Sequence, residues 1–218
     1  LIGGPTGSVV STPGGGVTVT LGGMVVNGSP EDVAQWMSML AREMGNSPSF
    51  YNAVMDMVND TAHPIPFNIG RDNAWWVDSF ANNNVDLNDL AWYPTDPDPD
   101  YPWAQTQGEL MAHVIEERRH AAVNGTDFHP AHNAALAPGG LQHQYRQDRG
   151  QPGRIVSQVG HQDPTNPNRN RGEYTNDSGN VTIIRRDTSS GNNVPYEVEH
   201  RPAHPTPSAP GVTRTTPP

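Results

Sequence analysis

The chain contains no cysteine and no lysine, and no apolar run in it approaches the roughly 18 residues that a membrane-spanning helix needs. The missing thiols exclude disulfides, thiolate metal sites and cysteine nucleophiles together. With lysine absent, 13 scattered arginines face 23 acidic residues, for a net charge of -10. The clustered cations that neutralise phosphates are therefore wanting, and nucleic acid is not the expected partner. Hydrophobic residues are few as well, at 33%, while Gly and Pro number 22 each. That balance fits a modest core with long loops or tails. No secretory signal is visible from Leu1 onward, and the Asn-X-Ser/Thr triplets at Asn27, Asn59, Asn124, Asn176 and Asn180 are expected by chance in so Asn- and Thr-rich a chain.

What is present organises the chain as follows. Residues 1–16 are Gly/Ser/Thr/Pro-rich and read as a flexible entry, and Val17–Leu21 with Met24–Val26 reads as two short strands or a hairpin. Ser29-Pro30-Glu31-Asp32 is a helix start: a cap, a first-turn proline and acids at the positive end of the dipole. Val33, Trp36, Met37, Leu40 and Met44 then follow at helical spacing, and after Ser47-Pro48 a second stripe runs through Phe50, Val54, Met55 and Val58. The pair predicts a helical hairpin. Ile65–Ile69, with Pro66 inside, predicts an edge strand; Ala74–Phe80 predicts another strand; 85–90 reads as a strand end or a helical turn. Asn124–Gly140 reads as mostly loop with one turn at Ala131–Leu136, and Leu141–Asp148 as a short helix. From Gln151 the composition shifts to Asn, Arg, Pro, Gly and Thr, with one strand signal at 180–186 and a Pro/Thr tail from His204.

The chemistry concentrates on a helix around Gly108–Ala122. At about 100° per residue, Glu109, His113, Glu116, Glu117 and His120 share an arc of about 100°. His113/Glu117 and Glu116/His120 stand one above the other at i and i+4, and neutral imidazole and carboxylate both ligate zinc. His113, Glu117 and His120 are therefore the candidate metal ligands. The competing reading is a solvated face of an amphipathic helix, with Arg119 offsetting the charge. Asp96-Pro97-Asp98-Pro99-Asp100 with Asp86 and Asp89 offers oxygen ligands for calcium, without the spacing that wraps a loop round an ion. Trp75, Trp76, Trp92 and Trp103 read as core packing or an aromatic platform.

The order of segments resembles the NleD-like effector zinc metallopeptidases, from Val25-Val26-Asn27-Gly28-Ser29-Pro30 through Asn46-Ser47-Pro48-Ser49-Phe50, the 65–69 strand, Leu110–Glu117 and Tyr145–Pro152, over about residues 24–154. The composition sets a compact domain over about 17–158 and a long irregular arm over 159–218, and for that domain the resemblance implies an α+β, zincin-like fold: a helical hairpin, a short antiparallel or mixed sheet and a central helix. It places the family's first zinc histidine at His113. The family's general-base Glu falls on Val114 and its second histidine on Glu117, and valine cannot accept a proton from a water. The resemblance thus implies a degenerate, non-catalytic protein of a secreted or extracellular bacterial assembly that acts by binding proteins; no cofactor is expected on that reading, and zinc is the metal the spacing admits. Two alternatives stand beside it. One is a structural subunit of an extracellular filament or surface layer that self-associates by adding strands of its terminal arms to neighbours. The other is an active zinc hydrolase with a displaced site completed by His120, His129 or His132.

Overall fold

The computed structural model describes residues 7–72, 76–187, 189, 194–203 and 213–214. Strands β1 (Gly7–Ser11), β2 (Val17–Leu21) and β3 (Met24–Gly28) form an antiparallel ribbon in register Val9↔Val19 and Val19↔Val26. The stretch expected as a flexible entry thus carries a strand from Gly7, because Val9 and Val10 suit a pleated edge and Gly14 and Gly15 (φ 99° and 87°) close the turn to β2. At the β2–β3 turn Gly22 has φ 56°, and a Cβ there would lie 1.6 Å from the Val58 carbonyl oxygen. Only glycine allows the ribbon to approach the following helix pair so closely.

Helices α1 (Pro30–Asn46) and α2 (Pro48–Asn59) form the expected hairpin. Ser29 Oγ accepts from the Asp32 amide at 3.1 Å and Ser47 Oγ from the Phe50 amide at 3.0 Å, so each serine satisfies an otherwise orphaned donor. Their apolar stripes bury Val33, Trp36, Met39 and Leu40 on α1, and Phe50, Val54, Met57 and Val58 on α2. Strand β4 (Ile65–Gly70) then pairs parallel to β3 on one side and to β6 (Asn84–Asp86) on the other. The edge position expected from Pro66 is therefore incorrect. Ile65 donates its amide to the Gly23 carbonyl at 2.7 Å, so the next residue turns its nitrogen the other way, where β6 pairs only from Asn68 onward. Proline loses no ladder bond there. The sheet ends with β5 (Asp78–Ser79) against β6, giving the order β1-β2-β3-β4-β6-β5. Of the strand expected over 74–80, residues 74 and 75 lie outside the described residues and only Asp78–Ser79 is strand, followed by a 3-10 turn at Phe80–Asn82. Asp86 ends β6 and caps the short helix α3 (Leu87–Ala91), so 85–90 is both a strand end and a helical turn.

Three helices follow: α4 (Gln107–Asn124), α5 (Phe128–Leu136) and α6 (Leu141–Asp148). The first is buried on nearly every side from Gln107 to Arg118, so its polar face is not a solvated one. That face meets α5, α6 and the C-terminal strands. Helix α5 is nine residues long where one turn was expected. Pro130 falls in its first turn, where no amide hydrogen is needed, so it does not break the helix.

The largest departure is the C-terminal segment. In place of an irregular arm with one strand, β7 (Ile155–Gln162), β8 (Arg169–Asn176), β9 (Val181–Asp187) and β10 (Val194–Arg201) form an antiparallel sheet, with the two-residue β11 (Thr213–Arg214) on β10. The sheet packs back on its own domain. Tyr174 and Ile184 belong to the same core cluster as Trp36 and Phe67. Arg186 Nη1 lies 3.1 Å from Asp89, and the Tyr93 and Tyr174 hydroxyls are 2.7 Å apart. The two stretches expected to add to a neighbouring copy, 17–21 and 180–186, are thus each paired on both sides within the chain. The fold is α+β, with a six-stranded mixed sheet, helices and a second antiparallel sheet, and no helix among the described residues is long and apolar enough to cross a membrane.

Candidate metal centre

Helix α4 starts at Thr106, whose hydroxyl accepts from the Glu109 amide, and ends at Gly125 in the left-handed region (φ 62°). That left-handed glycine reverses the chain and lets α5 pack across α4. Three side chains meet where the two helices touch. His113 Nε2 lies 2.9 Å from Glu117 Oε1 and 3.1 Å from His132 Nδ1, and His132 Nδ1 lies 2.6 Å from Glu117 Oε1. His113 and Glu117 are buried, and His132 is partly exposed. Ligand atoms about 2.0–2.1 Å from a tetrahedral zinc stand about 3.3 Å apart, so this donor set fits zinc with a sub-ångström adjustment. Among the described residues it is the one group of histidine and acidic side chains arranged to hold a metal ion.

His120 does not join it. Seven residues along the helix from His113, it stands about 10 Å further along the axis, and its Nδ1 contacts the Thr126 hydroxyl at 2.9 Å. Of the three expected ligands the structure brings His113 and Glu117 together and leaves His120 apart, and His132 from α5 joins the pair. Glu116 turns to Arg119 at 3.1 Å. His129 lines the neighbouring cavity without reaching the three. Among the described residues the aspartates expected for calcium form no group of three converging carboxylates: Asp96 pairs with Arg149 at 2.6 Å and Asp89 with Arg186. The tryptophans do not form one platform either: Trp76 lines the cavity, Trp92 packs on the core, Trp103 meets Tyr101, and Trp75 lies outside the described residues.

Behind His113 a buried chain of polar groups sets its tautomer. Arg146 Nη1 lies 2.5 Å from Glu109 Oε2, and Gln142 Nε2 donates to Glu109 Oε1 at 2.8 Å. The carboxylate fixes which end of the Gln142 amide faces it, so Gln142 Oε1 points at His113 Nδ1, 2.8 Å away. That oxygen can only accept, so Nδ1 carries hydrogen and Nε2 faces Glu117 and His132. Arg146, fully buried, also donates to the carbonyls of Trp103, Pro152 and Gly153. Tyr145–Pro152 thereby braces the centre from behind.

The charges follow from this packing. Burial raises the pKa of Glu117, but the two histidines beside it outweigh burial and hold its carboxyl down at about 2. For His113 burial disfavours the imidazolium, yet the Glu117 carboxylate and the Gln142 hydrogen bond leave its pKa above the usual 6.5. Asp78 on β5 is pushed up to about 6 by burial and by the Glu117 charge, against the pull of Arg118, whose Nη2 lies 3.0 Å away. Arg118 is itself held by Asn83 Oδ1 at 2.7 Å and by the Asn84 carbonyl at 3.2 Å.

The triad forms part of the wall of a cavity of about 430 Å³. Asp78, Phe80, Phe128 and His129 line it from the first domain, and Gln158, Val159 and Tyr174 from the C-terminal sheet. Gln158 Nε2 donates to Gln142 Oε1 at 3.2 Å, which ties β7 to the centre. Asp78, Gln142 and Gln158 had no distinguishing signal in the sequence, since an isolated Asp or Gln becomes informative only once the fold supplies its neighbours. Val114 lines the cavity, buried and without a proton-accepting group.

Fold and site together define the class: an α+β protein with a candidate two-histidine, one-carboxylate centre in a cavity. No protein-family model matches the chain, and neither a curated protein nor a solved structure matches it.

Proposed function

We propose that the chain is a zinc-dependent hydrolase of zincin-like type whose site is displaced from the family's usual spacing. The observation that carries this reading is the convergence of His113 Nε2, Glu117 Oε1 and His132 Nδ1 within 3.1 Å beside a cavity of about 430 Å³. Two histidines and one glutamate leave a fourth position for water or substrate, as in catalytic rather than structural zinc sites. Zinc held there supplies Lewis acidity, polarising a carbonyl and making a water easier to deprotonate.

The remaining work falls to this chain's own residues. Gln142 and Glu109 hold His113 in the tautomer that turns Nε2 to the centre. Asp78 takes the role that Val114 cannot. It lines the same cavity as His113, Glu117 and His132, and its carboxylate is a group that can accept the proton an attacking water releases. It then returns that proton to the departing amine or alcohol as the carbonyl carbon–heteroatom bond breaks. Arg118 keeps the Asp78 carboxylate oriented. The non-catalytic reading rested on valine at the place of the family's base; Asp78 from β5, in the lining of the same cavity, supports the catalytic alternative.

The test compares zinc-loaded wild-type chain, zinc-stripped chain and zinc-loaded Asp78→Asn on a panel of amide and ester reporters. Expected is turnover that requires zinc and drops at least about 100-fold in Asp78→Asn at unchanged zinc stoichiometry. Loaded protein no more active than stripped protein across the panel contradicts the proposal.

A further inference from the structure

The cavity beside the triad has two walls of different origin, and both are aromatic. Gly160 of β7 and Gly172 of β8 face each other in the strand register, and the Trp76 indole lies across them. A Cβ at Gly160 would come 2.8 Å from Trp76 Cζ2, and one at Gly172 would come 3.2 Å from Cζ3. Two paired glycines thus clear a slot for this ring, and the Arg186 guanidinium sits 4.5 Å from its centroid. On the other side Phe80 and Phe128 meet edge to face at 5.6 Å, and Phe128 lies 5.1 Å from the His132 ring. Phe128 is 41% exposed, so the edge of this pair opens to solvent.

The polar groups of the same cavity carry the opposite message to a phosphate site. None of its lining residues is an arginine, the chain has no lysine, and Asp78 and Glu117 both line it. Transfer of a phosphoryl or sulfuryl group needs cations aimed at the developing charge. Here an anionic substrate would meet two carboxylates. The volume lies at the low end of small-ligand sites and accommodates one bulky side group beside a reacting bond.

We propose that the bond split at this centre is a neutral amide or ester flanked by an aromatic or bulky apolar group, which packs against Trp76 and the Phe80–Phe128 pair. The inference rests on the hydrolase reading above and adds the substrate class to it. Aromatic faces around a polar, neutral reaction centre favour such a group through apolar burial and ring contacts.

The experiment titrates the zinc-loaded full chain calorimetrically with three zinc-seeking probes: acetohydroxamate, 3-phenylpropanohydroxamate and phenylphosphonate. The phenyl hydroxamate is expected to bind at least about tenfold tighter than acetohydroxamate, with phenylphosphonate weaker than either. In Trp76→Ala that advantage should fall to about threefold or less, with zinc stoichiometry and acetohydroxamate affinity unchanged. Phe128→Ala, at an exposed position, gives the same reading should Trp76→Ala fail to fold. Equal affinities for the two hydroxamates, or tightest binding by the phosphonate, overturn the inference while leaving the hydrolase reading intact. Failure to take up zinc at all overturns both.

Discussion

Two buried carboxylates stand on the same face of α4, two turns apart, and their surroundings differ in kind. Glu109 meets Arg146, a permanent cation, and Gln142; it is fully buried and fully paired. Glu117 meets His113 and His132, whose charges are titratable, and it borders a cavity. Arginine cannot give up its proton to make room for a metal, whereas histidine can. On the proposed reading the first cluster braces the fold and the second does the chemistry, although in sequence both are simply a Glu near a basic residue. The lesson is that a buried acid is read by whether its partners can change state.

The two clusters should separate under mutation. Arg146→Ala leaves Glu109 charged and unpaired in the core, and an expected loss of about 3–5 kcal/mol should be seen in chemical denaturation. His113→Ala instead should lower zinc affinity by about 100-fold or more while costing far less stability, as read by competition with a chelator. Gln142→Leu sits between the two clusters. By freeing the His113 ring and its tautomer it should weaken zinc by about tenfold, with the fold retained by circular dichroism.

The pH course sharpens the comparison further. The His113 pKa is raised above 6.5, so its interactions contribute stability below that value and lose it as pH rises through the higher folded pKa. Metal must displace the same proton. Zinc affinity should therefore climb by up to about tenfold per pH unit below the folded His113 pKa and level off above it. Smallest of all, His120→Ala should leave zinc affinity within about twofold and stability within about 0.5 kcal/mol, apart from the Thr126 contact.

Much of the first half of the fold was legible because local signals agreed there. Ser29-Pro30 and Ser47-Pro48 cap their helices, and the apolar spacing of Trp36, Leu40, Phe50 and Val54 matches the buried faces. The C-terminal sheet was not legible, because the inward positions of β8 are Asn170, Gly172, Tyr174 and Asn176. Alternation survives in burial but is invisible in hydrophobicity when polar and glycine residues face inward. The site was half legible. His113 and Glu117 follow from i,i+4 spacing on one helix, but His132 arrives by the angle at which α5 crosses α4. Helical geometry alone favoured His120, which shares the face but lies too far along the axis. Asp78 depends on β5 pairing with β6; the strand expected over 74–80 did not announce that partner.

The most direct test of the central claim is anomalous diffraction at the zinc edge from crystals of the zinc-loaded chain. The account predicts one peak about 2.0–2.2 Å from His113 Nε2, His132 Nδ1 and a Glu117 carboxylate oxygen, with a fourth position open to the cavity. A peak at His120, or no peak in protein that has been offered stoichiometric zinc, contradicts it.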